Sequence, residues 1–400
     1  MKNLAAAAES SMSHGGVWPT EAQQLLLRAA LLDAPAAIDA FTAWADTAPT
    51  DALDPASWKL IPLVHVNLKR VGAVHPLLPQ ARECHRFSWG SNQKLFHQTA
   101  AFLGEMRQAG IPTLVLKGVA LAHLYYPDTA ARPMADLDIL VPAAHFLKLG
   151  RQLLDAGWKE TDGHPFATFQ MDLMPSFGFM RPDGFCVDIH CHVLHADCGA
   201  RADEEFWAHA RPWTLRQTPA LALSHEDQLL HVISHGVRWC DVPPFRWIPD
   251  AWWVLARSRA EFDWDRFCVQ ARLHQVHLSI LRGLELADNI APLNLPAGLL
   301  GCLDSIPVSA QARVRYIVYT NPLPAAFFAR AGAIWKIVAR GDADRPVLGA
   351  STGERRGMDP RLIPSLLIFA IKVVIRDRKQ LLAALLAWIT GSEPNRDGVG

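Results

Sequence analysis

The sequence predicts an α+β protein in which a small mixed β-sheet with flanking helices is followed by a mostly helical second domain. Residues 116–141 read as strand, glycine turn, helix, loop and strand, and residues 177–193 read as a β-hairpin around Pro182-Asp183-Gly184. From about residue 202 onward the pattern is helical. These three observations separate a sheet-containing core from the helical region after it.

The chain before the core is expected to be helical over residues 18–90, after a disordered start at residues 1–17. Thr20 and Gln23 form a capping box for a helix through Leu32. Two further helices are predicted, at about residues 35–46 and 56–71.

The core is predicted to span residues 91–200. Its first helix ends at Gly110-Ile111-Pro112, which is a strong stop signal. The elements expected next are a strand at 113–116, a helix at 119–126, a helix at 143–156, and strands near 166–172, 176–181 and 185–193.

A helical domain on the substrate side is predicted at residues 201–300. Ser224 with Asp227 would begin a helix through Trp239, a further helix is expected at about 245–257, and Asp263 would begin the next. A C-terminal helical region is predicted at 301–400, with an irregular segment at 341–364. Its apolar stretches near 363–390 are interpreted as packed helices, with a membrane-surface or partner-binding tail as the alternative.

Two carboxylates lie two positions apart on the second strand of the core. Asp136 and Asp138 would point to the same face, because side chains alternate along a strand. Burying two like charges is costly unless a cation lies between them, and carboxylate oxygens are common ligands of Mg²⁺. Asp188, on the second strand of the hairpin, would complete a three-carboxylate cluster. We therefore predict a Mg²⁺ or Mn²⁺ site at Asp136, Asp138 and Asp188.

These acids belong to a set of short motifs: KG-x-x-L at 117–121, YP at 126–127, RPM at 132–134, DLDILV at 136–141 and VDIH at 187–190. In this combination the chain resembles the bacterial uncharacterised nucleotidyltransferase family and, more widely, the nucleotidyltransferase core of the DNA polymerase beta superfamily. The resemblance covers residues 90 to 295 and includes the segments at 223–250 and 263–267. Val119 follows Gly118 where many members of the wider superfamily carry Ser or Gly.

The resemblance implies transfer of a nucleoside monophosphate from an NTP to a hydroxyl-bearing acceptor, with release of pyrophosphate and a two-metal mechanism. ATP is the expected NTP. The three carboxylates would bind the metals, and Asp188 could also accept the proton of the acceptor hydroxyl. Lys117, Gly118 and Arg132 are the candidate phosphate contacts, since a glycine at a helix N-terminus allows close approach of an anion.

Histidines and cysteines near these motifs suggest supporting roles. His190 is a possible neighbour of the metal ligands, and His231 and His235 lie four residues apart on one helical face, where they would pack near the cleft between domains. A zinc site is the alternative interpretation, but the spacing fits no standard zinc finger. The residues concerned are Cys186, His190, Cys191, His192, His195 and Cys198.

Composition favours a small-molecule or protein acceptor. The chain has 400 residues, half of them apolar, and 39 basic residues balance 39 acidic ones. An extended nucleic-acid partner, which normally needs a basic face, is therefore not expected. The seven cysteines are irregularly spaced and the start does not read as a signal peptide, so we expect a cytoplasmic protein with free thiols and no membrane association.

Two alternatives stay open on the sequence alone. The acceptor could be a protein or peptide, as in toxin–antitoxin or peptide-maturation systems. The chain could also be a noncatalytic nucleotide-binding or partner-binding module on the same fold. Metal-dependent turnover separates enzyme from binder, and labelling of a macromolecule separates protein acceptors from small molecules.

Overall fold

A seven-stranded mixed β-sheet organises the first of two units into which the chain divides, Met1–Pro307 and Val308–Gly400. The computed structural model describes residues 16–47, 53–163, 165–169, 171, 174–199 and 201–320. The second unit is therefore described only over 308–320, where one helix spans Ala310–Thr320. The predictions for residues 341–364 and 363–390 lie outside the described residues.

The sheet has the strand order β3-β4-β5-β2-β1-β7-β6. Its strands are β1 (Leu114–Leu116), β2 (Leu137–Leu140), β3 (Lys159–Glu160), β4 (Ser176–Met180), β5 (Cys186–His190), β6 (Arg211–Leu215) and β7 (Thr218–Ala222). β2 runs antiparallel to β1 and parallel to β5, whereas β1 pairs in parallel with β7. This mixed sheet, together with the helices around it, confirms the predicted α+β class.

Helices precede, interrupt and follow the sheet. The helices before it are α1 (Glu21–Leu31), α2 (Ala36–Thr47), α3 (Pro55–Trp58), α4 (Ile61–Arg70) and α5 (Leu78–Gln108). Those between strands are α6 (Lys117–Leu124), α7 (Ala143–Asp155) and α8 (Glu204–Ala208). Those after it are α9 (His225–Gly236), α10 (Trp247–Ser258), α11 (Trp264–Leu273), α12 (His277–Ile290) and α13 (Leu299–Ser305). Among the described residues, no helix is both long and apolar enough to span a membrane.

Helix starts follow local hydrogen-bonding rules. Both bonds of the capping box between Thr20 and Gln23 are present. The Ser224 hydroxyl accepts from the Asp227 amide, and the Asp263 carboxylate accepts from the Arg266 amide. Side-chain oxygens at these positions satisfy amides that have no partner within the helix. The predicted starts of α1, α9 and α11 are therefore confirmed.

One strand prediction and one helix prediction are wrong. Residues 166–168 form a 3-10 turn instead of a strand, and Phe166 packs there against the rings of Phe146 and Phe177. The region after residue 202 is not uniformly helical, because the hairpin β6–β7 adds two strands to the core sheet. Its turn places Arg216 and Gln217 at positive φ without a glycine or asparagine, so the sequence lacks the usual signal for a tight hairpin.

Candidate active site

Asp138 and Asp188 lie directly opposite each other on the neighbouring parallel strands β2 and β5. Both project from the same face of the sheet, because paired residues of adjacent strands share a face. Apolar neighbours in the strands, Leu137, Ile139 and Ile189, are fully buried and fix this register. The structure thus brings together two of the three predicted metal ligands.

His190 joins the two carboxylates. Its Nε2 lies 3.2 Å from Asp138 Oδ1 and 3.1 Å from Asp188 Oδ2. In the described part of the chain, the potential metal-ligating group with at least three members is Asp138, Asp188 and His190, whose ligand atoms all lie within 4.8 Å of one another. None of the cysteines considered for zinc belongs to this group. His190, predicted as a neighbour of the ligands, belongs to this candidate group.

Asp136 occupies a different position from that predicted. It immediately precedes β2, is exposed to solvent and lines the pocket without joining the three-residue group. Desolvation by the pocket walls and repulsion from the Asp138 carboxylate raise its pKa. Asp136 therefore lies beside the group of Asp138, Asp188 and His190, and the negative charge of Asp138 disfavours its ionisation.

Lys117 supplies the positive charge closest to the acids. It begins α6 with a backbone φ of 43°, a left-handed conformation that is uncommon for a residue with a side chain. Its Nζ donates to Asp138 Oδ1 at 2.7 Å and lies 3.3 Å from His190 Nε2. Burial alone would raise the pKa of Asp138, but the Lys117 ammonium and the His190 hydrogen bond outweigh burial and lower this pKa.

The carboxylate of Asp188 and the imidazole of His190 each shift the pKa of the other towards the charged form. Burial opposes ionisation of Asp188, but the adjacent His190 outweighs it and lowers the pKa of the carboxyl. Burial and the Lys117 ammonium oppose protonation of His190, yet the two carboxylates raise its pKa. The cluster therefore favours carboxylates in contact with cations.

A pocket of about 430 Å³ opens next to these residues. The acids line it, together with Lys117 and Gly118 from the start of α6. An added Cβ at Gly118 would lie 3.1 Å from Arg132 Nη1 and 3.3 Å from Met134 Sδ, so a larger residue would crowd the RPM loop. Val119, in contrast, is fully buried in the core and does not line the pocket.

The RPM loop is held in place by α5. Ser88 Oγ donates to Ala130 O at 2.7 Å, and Asn92 Nδ2 donates to Thr129 O at 2.6 Å and to Arg132 O at 2.9 Å. Both polar side chains are buried within a long helix. They satisfy carbonyls of a segment that forms no regular strand pairs, which fixes the loop beside the pocket.

Two of the three guanidinium nitrogens of Arg132 donate to the carboxylate of Asp250. Its Nε and Nη2 donate to the two oxygens of Asp250 at 2.7 and 2.9 Å, and Tyr126 Oη donates to Asp250 Oδ1 at 2.6 Å. Arg132 and Asp250 are both about 5% exposed or less. The sequence suggests the nearby acidic pair as an alternative partner for Arg132, whereas its observed partner Asp250 lies 118 residues away in α10. Only Nη1, beside Gly118, is left for the predicted phosphate contact.

His231 and His235 line the same pocket from α9. Burial, followed by the charge of Lys117, lowers the pKa of both well below the usual value. His231 is 2% exposed and its Nδ1 is buried without a hydrogen-bond partner. Both histidines are therefore neutral groups beside the acids, in the cleft where the sequence predicts them.

Comparisons with known proteins identify the family of the chain. Residues 56–292 match the model of a family described as uncharacterised nucleotidyltransferase. An antigenic nucleotidyltransferase-like protein from Paracoccidioides brasiliensis is a structural neighbour with 14% sequence identity and a TM-score of 0.34, and the match covers 56% of this chain and 97% of that one. No curated protein matches the chain. Because the family match extends over more than half of the sequence, the protein belongs to this family of uncharacterised nucleotidyltransferases.

Proposed function

We propose that the protein is a divalent-metal-dependent nucleotidyltransferase that transfers a nucleoside monophosphate from an NTP, with ATP the expected donor, to a hydroxyl-bearing acceptor. The observation that carries this proposal is the register of β2 and β5, which places Asp138 beside Asp188 and brings His190 into the same group. Membership of a nucleotidyltransferase family supports the reaction class. Placement in the wider DNA polymerase beta superfamily stays a prediction.

The donor atoms fit a divalent cation. Two carboxylate oxygens and an imidazole nitrogen suit Mn²⁺ and, with water and phosphate oxygens completing the shell, Mg²⁺. Asp136, in the same pocket, is proposed as an additional ligand. Metal ions bound there would activate the attacking oxygen and neutralise the leaving pyrophosphate in a two-metal mechanism. The Lys117 ammonium on Asp138 shows that these acids are stabilised by positive charge.

Asp188 is proposed to accept the proton. The acceptor oxygen attacks the α-phosphorus, the new P–O bond forms, and the bond to the bridging oxygen breaks so that pyrophosphate leaves with the electron pair. The hydroxyl proton passes to a carboxylate. The side chain of Asp188 is 28% exposed, whereas that of Asp138 is 8% exposed and paired with Lys117, so Asp188 is the more accessible base.

The phosphates of the nucleotide are assigned to the start of α6. Lys117 can donate from Nζ, the Gly118 N–H lies in the first turn of the helix, and Arg132 Nη1 lies next to Gly118. A helix N-terminus and an adjacent guanidinium both favour an anion. The acceptor would be a small hydroxylated molecule, a sugar or a protein side chain.

Transfer of label tests the proposal. The protein is incubated with Mg²⁺ and each NTP labelled at the α-phosphate, together with either deproteinised cell extract or heat-treated protein. We expect label to enter one of these fractions with release of pyrophosphate, and the fraction identifies the acceptor class. Asp138→Asn and His190→Ala should abolish transfer, whereas His123→Asn, at an exposed histidine of α6 outside the pocket, should retain it. Metal-independent transfer, or full transfer by Asp138→Asn, would overturn the proposal.

A further inference from the structure

Three basic side chains, Lys59, Arg238 and Arg246, line the pocket that contains the acids. We refer to them as the basic wall. None belongs to the sheet: Lys59 lies between α3 and α4, Arg238 follows α9, and Arg246 immediately precedes α10. The helical segments of the first unit therefore add positive charge to a pocket whose acids come from the sheet.

The basic wall has no carboxylate partner among the described residues. In the described ranges, none of the three cationic groups forms an ion pair with Asp or Glu, unlike Lys117 and Arg132. Arg246 Nη1 donates to a carbonyl, Pro133 O, at 2.7 Å. Arg238 Nε is buried and has no hydrogen-bond partner. A buried guanidinium nitrogen without a hydrogen-bond partner is costly, and a bound anion would supply that partner.

The other two cations of the pocket differ in this respect. Lys117 is paired with Asp138, and Arg132 forms its fork with Asp250. The basic side chains of the pocket that form no ion pair with a described carboxylate are therefore those of the basic wall. Desolvation and the nearby Arg246 lower the pKa of Lys59, and burial and Arg132 lower the pKa of Arg246. Crowded cations of this kind are stabilised when an anion binds between them.

We propose that the basic wall binds an anionic group, a phosphate or a carboxylate, on the second substrate. This inference rests on the proposed function, in which the nucleotide phosphates occupy the metal and the start of α6. Guanidinium groups recognise the paired oxygens of phosphate and carboxylate through parallel hydrogen bonds. The acceptor is then a hydroxylated anion, held by the helical segments through its charge while its hydroxyl attacks the nucleotide at the sheet.

Titration of inorganic phosphate tests the basic wall separately from nucleotide binding. The protein is first saturated with Mg²⁺ and α,β-methylene-ATP, whose α–β linkage resists transfer, and phosphate is then titrated calorimetrically. Arg246→Gln removes the charge but keeps an N–H for Pro133 O, and Lys59→Met removes the second charge. Lys69→Met, at an exposed lysine of α4 outside the pocket, is the matched control. Each test variant should raise the Kd for phosphate about tenfold, and the control should leave it unchanged.

Three results would overturn the inference: no phosphate binding to the nucleotide-loaded protein, equal affinity in all four proteins, or displacement of phosphate by the nucleotide analogue. The preceding nucleotide titration reports on the proposed function by itself. If the analogue fails to bind, the proposed function is contradicted, and phosphate titration of the metal-free protein still tests the wall. If the analogue binds and phosphate does not, only the wall is contradicted.

Discussion

Lys117 Nζ lies 2.7 Å from Asp138 Oδ1, so the residue that begins α6 neutralises the central acid of β2. The side chains are 17% and 8% exposed. Because both groups are largely removed from water, loss of one partner leaves the other charge poorly compensated. This pair links the KG motif to the DLD motif energetically as well as spatially.

Removing the Asp138 charge should therefore lower stability unless Lys117 is removed too. Asp138→Asn is expected to reduce the free energy of unfolding by about 1–3 kcal/mol, and Lys117→Met in the same chain should recover part of the loss. Asp136→Asn, at an exposed carboxylate, should change stability by less than about 0.5 kcal/mol. Urea unfolding of the two single variants, the double variant and Asp136→Asn measures the coupling. Strict additivity of the Asp138 and Lys117 changes would contradict this account.

The fork between Arg132 and Asp250 should contribute more to stability than any surface pair. Arg132→Met leaves Asp250 as a buried, uncompensated carboxylate and should destabilise the protein by about 3–5 kcal/mol. Arg86→Met, which breaks a pair with Glu83 whose side chains are 68% and 64% exposed, is the control and should cost less than about 1 kcal/mol. Denaturant midpoints of the two variants make the comparison. Equal losses of stability in the two variants would mean that the ion pair between Arg132 and Asp250 does not stabilise the fold.

Gly236 permits α9 and α10 to pack closely. An added Cβ would overlap the ring of Trp247, which is 5% exposed. Gly236→Ala should therefore destabilise the protein by about 1–3 kcal/mol through overpacking. Gly90→Ala in α5, where an added Cβ meets nothing within 4 Å, should instead stabilise it by about 0.5–1 kcal/mol. Thermal unfolding distinguishes the two signs, and a stabilising Gly236→Ala would contradict the packing.

Neutral His231 should make stability sensitive to acid. Its pKa in the folded protein is lowered well below the ordinary value of 6.5, chiefly by burial and then by Lys117. The unfolded chain therefore binds the proton more readily, so the stabilising contribution is complete above pH 6.5 and is lost as the pH falls. Acidification from pH 6.5 to pH 5 should therefore lower the free energy of unfolding through this one group by on the order of 1 kcal/mol. His231→Gln should lose that much less stability over the same interval.

Urea unfolding at the two pH values measures this difference. His209→Gln, at an exposed histidine, is the control and should retain the acid sensitivity of the wild type. If His231→Gln lost as much stability on acidification as the wild type, the histidine would not be held neutral in the folded protein.

Local signals in the sequence predict the site better than the sheet around it. The hairpin turn at residues 182–184 has glycine at the position that takes a φ of 85°, so its strands, and the location of Asp188, follow from turn chemistry. The register that places Asp188 beside Asp138 is consistent with the alternation of apolar and polar residues. The sequence did not predict which side chains form the candidate metal-binding group. The structure places His190 in this group and shows that Asp136 lies just outside β2.

The elements and contacts that the sequence did not predict lack a local sequence signal. β6 and β7 contain Pro212 and Pro219, and the turn between them has no glycine, so neither strand nor hairpin signal is present. α5 begins at Leu78, thirteen residues before residue 91, where the core and its first helix are predicted to begin, because it lacks a side-chain N-cap and contains Gly90. The partners Asp250 and Arg246 are far from the RPM loop in sequence, and no local pattern indicates a contact over that separation.

The most direct measurement is the thermal shift produced by each of the four NTPs, with and without Mg²⁺, in the wild type and in Asp138→Asn. A ligand at about one hundred times its Kd stabilises the native state by roughly 2.7 kcal/mol, which corresponds to a rise in Tm of several degrees. We expect a Mg²⁺-dependent rise in Tm for the preferred NTP in the wild type and none in Asp138→Asn. An equal rise in both proteins, or a rise that does not depend on Mg²⁺, would contradict a metal–nucleotide site at Asp138.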